Sequence, residues 1–237
     1  VSAGTAPIAY TLPTGCRGIT TATVNGLPTA ITGNVPVCVG NSATLGSTPT
    51  GGTWTSGNVG VATVVSSTGV ATGVSAGTAV MTYTLPTGCI VTAVFTVNPL
   101  PPAITGITNV CTGFTTALFN ASAGGTWSSS NTALGTVSTS GVVTGIVAGT
   151  LTITYTLPTG CFITTPFTVN PTPTAVTGTR TVCVGLTTTL SSTPSGGTWT
   201  SSNTAVATVG SSSGIVTGLS TGTTTITYTL SPGCYSI

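Results

Sequence analysis

The residues of this chain that could do chemistry are its seven cysteines, because the sequence contains no Asp, no Glu and no His. General acid–base catalysis, triad nucleophiles and most metal-assisted reactions need a carboxylate or an imidazole. Only Arg17 and Arg180 are charged, and the net charge is +2. We therefore predict no enzyme and no catalytic, cofactor-binding or metal-binding residues, and we expect no cofactor. So small a charge also argues against a nucleic-acid partner.

The cysteines fall into two classes that alternate along the chain. The turn cysteines end a Y-T-L-x-x-G-C motif, and the V-C cysteines follow a valine in a short apolar segment. The turn cysteines are Cys16, Cys89, Cys161 and Cys234, and the V-C cysteines are Cys38, Cys111 and Cys183. No closely spaced pair such as C-x2-C is present, which argues against zinc. The spacing favours a disulfide framework formed in an oxidising compartment.

The sequence leaves two pairings of these cysteines open. Pairing within a repeat gives Cys38–Cys89, Cys111–Cys161 and Cys183–Cys234, with the partner of Cys16 outside the chain. Each such bond closes a loop that is worth about 4 kcal/mol in the chain-entropy model. The other pairing applies if the two classes lie at opposite ends of a module, because bonded Cα atoms lie within about 7 Å. Consecutive modules would then be joined by Cys38–Cys161 and Cys111–Cys234.

The elements that must position these cysteines repeat about every 72 residues, which is the signature of an array of small modules. Proline-containing segments such as N-P-L-P-P-A-I-T-G mark the junctions between repeats, because proline interrupts a central strand. They divide the chain into residues 1–26, 27–99, 100–171 and 172–237. We expect the first segment to carry the C-terminal strands of a preceding module and the last module to lack its final strand.

Within a repeat, apolar and Thr residues alternate. In Leu151–Leu157 the residues Leu151, Ile153 and Tyr155 share one face and the threonines share the other, which is typical of a half-buried strand. Pro166 in the following strand predicts an edge position or a bulge. Six or seven such short strands per repeat, separated by Gly and Pro turns, predict an all-β, antiparallel sandwich. No apolar run is long enough to insert into a membrane as a helix.

Each repeat carries one Trp after a Gly-Gly pair and one Tyr in the turn motif. A Trp of this kind could serve as a stacking platform for a sugar, but its place between threonines in a strand favours a position in the core. The Tyr is also expected in the core, with its hydroxyl at the rim. The predicted core aromatics are Trp54, Trp127, Trp199, Tyr83, Tyr155 and Tyr228.

The segment Gly196–Leu230 resembles the bacterial Ig-like group 2 domain. The family pattern W-x-S-x-N-x-x-V-A-x-V, then G-x-V-x-G, then a G-T-x-x-I strand, is matched from Trp199 to Ile226, and the other repeats match less closely. Arrays of this kind resemble those of very large surface and adhesin proteins of Bacteroidota. The resemblance implies tandem immunoglobulin-like sandwich modules and a surface or adhesive role, and it transfers no catalytic residue.

Together these observations predict a structural, non-catalytic segment of an extracellular bacterial surface filament or stalk. The expected partners are copies of itself in linear or lateral assembly, and a cell surface or other substratum. The expected location is the cell surface, reached through an oxidising compartment. The alternative is an adhesin module that itself binds a ligand, such as a surface or a glycan. A binding module should differ from its neighbours at a loop, whereas these repeats differ mainly by conservative changes.

Overall fold

The computed structural model describes residues 2–237, and this part of the chain contains strands and no helix. Within it, no helical segment could therefore span a membrane. Runs of Thr and Val form the strands because β-branched side chains suit a pleated, half-buried surface. The chain separates into two compact units. The first comprises the described residues up to Leu100 with Thr159–Cys161, and the second comprises Pro101–Pro158 and Phe162–Ile237.

The first unit begins with a hairpin of two strands and continues with seven strands of a sandwich. The hairpin strands are β1 (Gly4–Thr11) and β2 (Arg17–Val24). The sandwich strands are β3 (Val37–Cys38), β4 (Ser42–Thr44), β5 (Thr53–Ser56), β6 (Ala62–Val64), β7 (Val70–Gly73), β8 (Gly77–Thr84) and β9 (Ile90–Asn98). One sheet has the strand order β3-β9-β8-β5 and the facing sheet has the order β4-β7-β6.

The hairpin β1–β2 repeats the sequence pattern of β8–β9 but has no sandwich around it in the described chain. Its two strands are exposed at every position except Ala22, which is half-buried. In β8, by contrast, Ala79, Met81 and Tyr83 are buried along one face. The same alternating pattern is therefore packed in one place and open to solvent in the other.

The second unit contains two further sandwiches. The strands of the first are β10 (Thr105–Gly106), β11 (Asn109–Cys111), β12 (Thr115–Phe119), β13 (Thr126–Ser129), β14 (Gly135–Val137), β15 (Val142–Gly145), β16 (Gly149–Thr156) and β17 (Phe162–Asn170). They form sheets of order β10-β12-β15-β14 and β11-β17-β16-β13. The strands of the second are β18 (Thr187–Thr189), β19 (Thr198–Ser201), β20 (Ala207–Val209), β21 (Ile215–Gly218), β22 (Ile226–Thr229) and β23 (Tyr235–Ser236). Their sheets are β18-β21-β20 and β19-β22-β23.

Two strand pairs are parallel rather than antiparallel. The short V-C strands β3 and β11 run parallel to β9 and β17, respectively, and every other pair of named strands is antiparallel. A first strand that joins the last strand of the facing sheet in this way gives the two-sheet arrangement of immunoglobulin-like domains. The predicted fold class, an all-β tandem array of immunoglobulin-like sandwich modules of about 72 residues, is confirmed, with this parallel pair as an addition to the antiparallel sheets.

Each sandwich encloses its own apolar core. The buried side chains with the least exposure include Phe95 and Met81 in the first cluster and Phe167 and Ile153 in the second. The third cluster centres on Trp199 and neighbouring side chains of the two short sheets. Buried groups are mainly apolar, and no buried side-chain N or O atom of the described residues lacks a hydrogen-bond partner.

Candidate assembly sites

The side chains that could carry a charge-based function are two arginines. Arg17 begins the exposed strand β2. Arg180 donates a hydrogen bond from Nη2 to the carbonyl oxygen of Val176 at 2.9 Å. Among residues 2–237 no group of three or more His, Cys, Asp or Glu could hold a metal ion. The sites to consider are therefore the cysteines, the aromatic pairs and the open sheet edges.

Two disulfides link cysteines of opposite classes. Cys38 bonds Cys161 and Cys111 bonds Cys234, with Cα–Cα distances of 5.6 and 5.7 Å. Both bonds join a V-C cysteine to a turn cysteine 123 residues further along the chain. Each therefore connects one sequence repeat to the next, in the second of the two pairings that the sequence allows.

Pairing within a repeat is wrong for these cysteines, and the strands show why. Cys111 lies beside Asn170 at the end of β17, whereas Cys161 directly precedes the first residue of that strand. Nine extended residues at about 3.3 Å each separate the two positions by about 30 Å. A disulfide tolerates only about 7 Å between Cα atoms. The same distance along β9 separates Cys38 from Cys89.

Three cysteines form no disulfide within the described chain. Cys16 and Cys183 are exposed and Cys89 is half-buried. The prediction that Cys89 and Cys183 pair inside the chain is wrong, because both thiols are free in the described residues. The observed bonds run from a V-C cysteine to a turn cysteine 123 residues later, and neither the position 123 residues before Cys89 nor the position 123 residues after Cys183 lies within the chain. The partner of Cys16 outside the chain stays a prediction.

A Trp–Tyr pair lies across adjacent strands in every sandwich. Trp54 faces Tyr83 with ring centroids 4.7 Å apart, and the other two pairs have almost the same spacing. These are direct cross-strand neighbours, the positions at which side chains stabilise a sheet most. Five of the six predicted core aromatics are buried, namely Trp54, Trp199, Tyr83, Tyr155 and Tyr228.

The Tyr hydroxyl of each pair forms hydrogen bonds with the backbone of the loop that leads into the Gly-Gly-Thr-Trp strand. The hydroxyl of Tyr83 donates to the carbonyl oxygen of Pro49 at 2.9 Å and accepts from the amide of Gly52 at 2.8 Å. Gly52 allows this close approach, since a Cβ there would lie 2.6 Å from Cζ of Tyr83. Tyr155 and Tyr228 make the corresponding two bonds in the other sandwiches.

Trp127 is the exception among the six aromatics, because it is only half-buried and lies at the edge of its cluster. The loop before it reads F-N-A-S-A, where the other two repeats have G-S-T-P-T and S-S-T-P-S. A small cavity of about 140 Å³ opens beside the ring, and its walls include Phe119, Asn120 and Ser140. The second repeat thus differs from its neighbours at a loop.

The third sandwich has an open groove that is lined by residues of both of its sheets. Strand β23 pairs with only Tyr228 and Thr229 of β22, whereas β9 and β17 pair with eight residues of their neighbours. The groove has a volume of about 540 Å³, and Val182, Leu190 and Ile226 contribute to its apolar lining. In the two longer sandwiches the strands β9 and β17 bury a Phe side chain in the core.

Comparison with known protein families agrees with this architecture. The model of the bacterial Ig-like domain (group 2) matches residues 113–162 and 163–233, about half of the chain. No curated protein sequence matches the chain.

Several solved structures are similar to this chain at low sequence identity. The S-layer protein SbsC, domains 4 and 5, is 20% identical with a TM-score of 0.29, over 62% of this chain and 99% of that one. Invasin, titled a bacterial integrin-binding protein, is 15% identical with a TM-score of 0.38, over 98% and 63%. The C-terminal fragment of intimin, in complex with the intimin-binding domain of its translocated receptor, is 16% identical with a TM-score of 0.42, over 68% and 69%. The chain spans 44% of the SbsC structure that comprises domains 1–6.

Proposed function

Because this chain belongs to the bacterial Ig-like domain (group 2) family, we propose that it is a structural, non-catalytic repeat segment of an extracellular bacterial surface filament or stalk. Its role is to give length, stiffness and lateral association. The modules of this segment are residues 27–99, 100–171 and 172–237, and residues 1–26 belong to a preceding module.

The observation that carries the proposal is the pair of disulfides between consecutive repeats. A bond between repeats reduces the freedom of the proline-containing junction that separates them, because a cross-link removes conformations from the chain that it closes. A stalk needs this restriction at every junction, whereas a single ligand-binding module does not. Disulfides persist in oxidising environments, which supports an extracellular location.

The outer sheet faces support lateral association with copies of the same array. Val80 and Val94 are direct neighbours across β8 and β9, and both point outward with about half of their surface exposed. The surrounding side chains of these two strands are mostly Thr, and none of them is charged. Uncharged β-faces of this kind associate readily because no like charges oppose contact.

Electron microscopy of native material tests the proposal. We expect a fibre whose beads repeat at the spacing of the sandwich modules. Replacing Val80 and Val94 by Lys should separate bundled fibres into single ones without changing the bead spacing. The matched variant, Thr82→Lys with Thr92→Lys, places the same two charges on the neighbouring cross-strand pair of the same face. A preparation that contains only compact, monodisperse monomers at high concentration would contradict a filament or stalk.

The alternative, a ligand-binding adhesin module, is favoured by one observation, the half-exposed Trp127 beside a cavity and the exposed ring of Phe119. Aromatic faces next to amide and hydroxyl groups suit a neutral sugar, since the lining carries no charge. A glycan array with the wild-type chain and Trp127→Ala tests it. Glycan binding that Trp127→Ala abolishes would support the adhesin function. If the wild-type chain binds no glycan, the adhesin alternative is contradicted.

A further inference from the structure

The second sandwich has a shorter hairpin beside its tryptophan than the other two sandwiches have. Four residues connect β14 to β15, whereas five connect β6 to β7 and β20 to β21. The short hairpin is closed by a turn in which the amide of Gly141 donates to the carbonyl oxygen of Ser138 at 3.0 Å. The Ser138 hydroxyl accepts from the amide of Val142 at 3.1 Å, so the short hairpin has hydrogen bonds that stabilise its own conformation.

In the two longer hairpins a backbone carbonyl reaches the tryptophan strand. The amide of Trp54 donates to the carbonyl oxygen of Ser66 at 2.9 Å, and the amide of Trp199 donates to that of Ser211 at 2.8 Å. Trp127 pairs with its neighbouring strand in the same register as Trp54, so its amide also points away from that strand. Among the described residues the Trp127 amide has no backbone acceptor. The shorter hairpin therefore leaves one backbone donor without its usual partner.

The indole ring beside the short hairpin is also less covered. Trp54 and Trp199 are each 5% exposed, whereas Trp127 is half-buried. The cavity of about 140 Å³ beside Trp127 has Thr139 and Ser140 of the hairpin in its wall. Since the hairpin forms part of this wall, its missing residue contributes to the opening.

The lining of this cavity suits one ring of a neutral sugar. The aromatic side chains of Trp127 and Phe119 lie beside the polar groups of Asn120 and Ser140, and no lining residue is charged. The unpaired amide of Trp127 adds a donor for an oxygen atom of the ligand. A volume of about 140 Å³ is well below the roughly 300–1,000 Å³ of pockets that enclose a drug-sized ligand. The site therefore fits one ring of a longer glycan rather than several rings.

We infer that the length of this hairpin decides whether the tryptophan of a sandwich is open to a glycan, with the second sandwich open and the first closed. An oxygen atom of the sugar takes the position at the Trp127 amide that the Ser66 carbonyl has at Trp54. This inference rests on the adhesin alternative and is independent of the filament. A single ring with so few contacts binds with a Kd on the order of 1 mM. Several open modules along one fibre would increase the avidity for a polysaccharide.

The test inserts one Ser between Thr139 and Ser140, which gives the second sandwich a hairpin of five residues. Saturation-transfer NMR measures binding of the methyl glycosides of glucose, galactose, mannose and N-acetylglucosamine at millimolar concentrations. We expect the wild-type chain to bind at least one of them and the insertion to abolish that binding. Hydrogen exchange of the Trp127 amide should slow by roughly tenfold, because the amide gains an acceptor. The matched control inserts one Ser between Ser212 and Ser213 of the third sandwich and should leave glycoside binding unchanged.

A reciprocal variant tests the hairpin without the cavity. Deleting Ser67 shortens the hairpin of the first sandwich to four residues, and the Trp54 amide should then exchange faster by roughly tenfold. Calorimetry confirms that each variant is folded. If the insertion fails to fold, the Ser67 deletion still decides the role of hairpin length, because an unchanged Trp54 amide would overturn it.

The other outcomes separate the site from the filament. Glycoside binding that persists after the insertion has protected the Trp127 amide would overturn the role of the hairpin. A wild-type chain that binds none of the four glycosides would overturn the site, whereas beaded fibres of the same chain in the microscope would still support the filament. Glycoside binding by a chain that forms no fibres would support the site and contradict the filament.

Discussion

Removing one hydroxyl from the first sandwich should destabilise it measurably. The substitution is Tyr83→Phe, which keeps the ring against Trp54 at its centroid distance of 4.7 Å. It removes the acceptor of the Gly52 amide and the donor to the Pro49 carbonyl. The matched control is Tyr10→Phe, because Tyr10 begins the same Y-T-L-P-T-G-C motif but is 71% exposed, against 3% for Tyr83.

The magnitude follows from the two groups that lose their partner. An unsatisfied buried donor or acceptor costs about 1–3 kcal/mol, and these two groups are only partly buried, so each takes the lower end of that range. The expected loss is therefore about 2 kcal/mol in the free energy of unfolding of this module. For a module of about 72 residues this lowers Tm by roughly 8–16 °C. Tyr10→Phe should stay within about 0.5 kcal/mol of the wild type, as exposed substitutions usually do.

Differential scanning calorimetry measures the shift, and hydrogen–deuterium exchange of β8 assigns it to the first sandwich. Faster exchange should be confined to β8 and the strands next to it in Tyr83→Phe. The reasoning is refuted if the two variants have the same Tm, or if Tyr83→Phe leaves the exchange of β8 unchanged. Either result would mean that the loop before Gly52 does not depend on the hydroxyl.

Three further predictions concern charge, disulfides and the open groove. Because no side-chain carboxylate or imidazole is present to change its proton occupancy on unfolding, Tm should change by less than about 3 °C between pH 7 and pH 4, as thermal scans would show. Changing Cys111→Ser, which removes one of the two disulfides, should lower the free energy of unfolding by up to about 5 kcal/mol in the chain-entropy model. Reducing both disulfides should lower it further, and calorimetry with and without reductant measures both effects. Extending the chain after Ile237 with T-P-F-T-V-N-P, the sequence that ends β17, should raise the Tm of the third sandwich. The control extension T-P-A-T-V-N-P should lose about 3 kcal/mol of that gain because it does not fill the core with Phe.

The strands that carry the cores could be predicted from the sequence because their burial depends on a period of two. Met81 and Tyr83 alternate with threonines in β8, and the structure buries the former and leaves the latter partly exposed. Pro166, expected at an edge, lies in β17 before the stretch that β11 joins, so its missing amide hydrogen costs no sheet bond on that side.

The cysteine pairing depended on a contact that periodicity does not report. Repeat length and class alternation left two pairings open, and the decision came from the parallel alignment of Cys38 with Asn98 at the far end of β9. Trp127 shows a second limit, because its Gly-Gly-Thr-Trp segment is the same as in the other repeats. The difference lies in the loop before that segment, F-N-A-S-A, and in the cavity that opens beside the ring, and the shared segment reports neither.

The overlap of the two disulfide loops has a mechanical consequence. Without them, an unfolded stretch from Cys38 to Cys234 could extend over roughly 200 residues, or about 700 Å at about 3.5 Å per residue. With both bonds intact, the shortest covalent path crosses one sulfur bridge, returns along the chain between Cys161 and Cys111, and crosses the other. That path contains only about 50 residues, or about 175 Å. When an array is pulled from its ends, about three quarters of this contour length would therefore bear no tension, even after its sandwiches had unfolded.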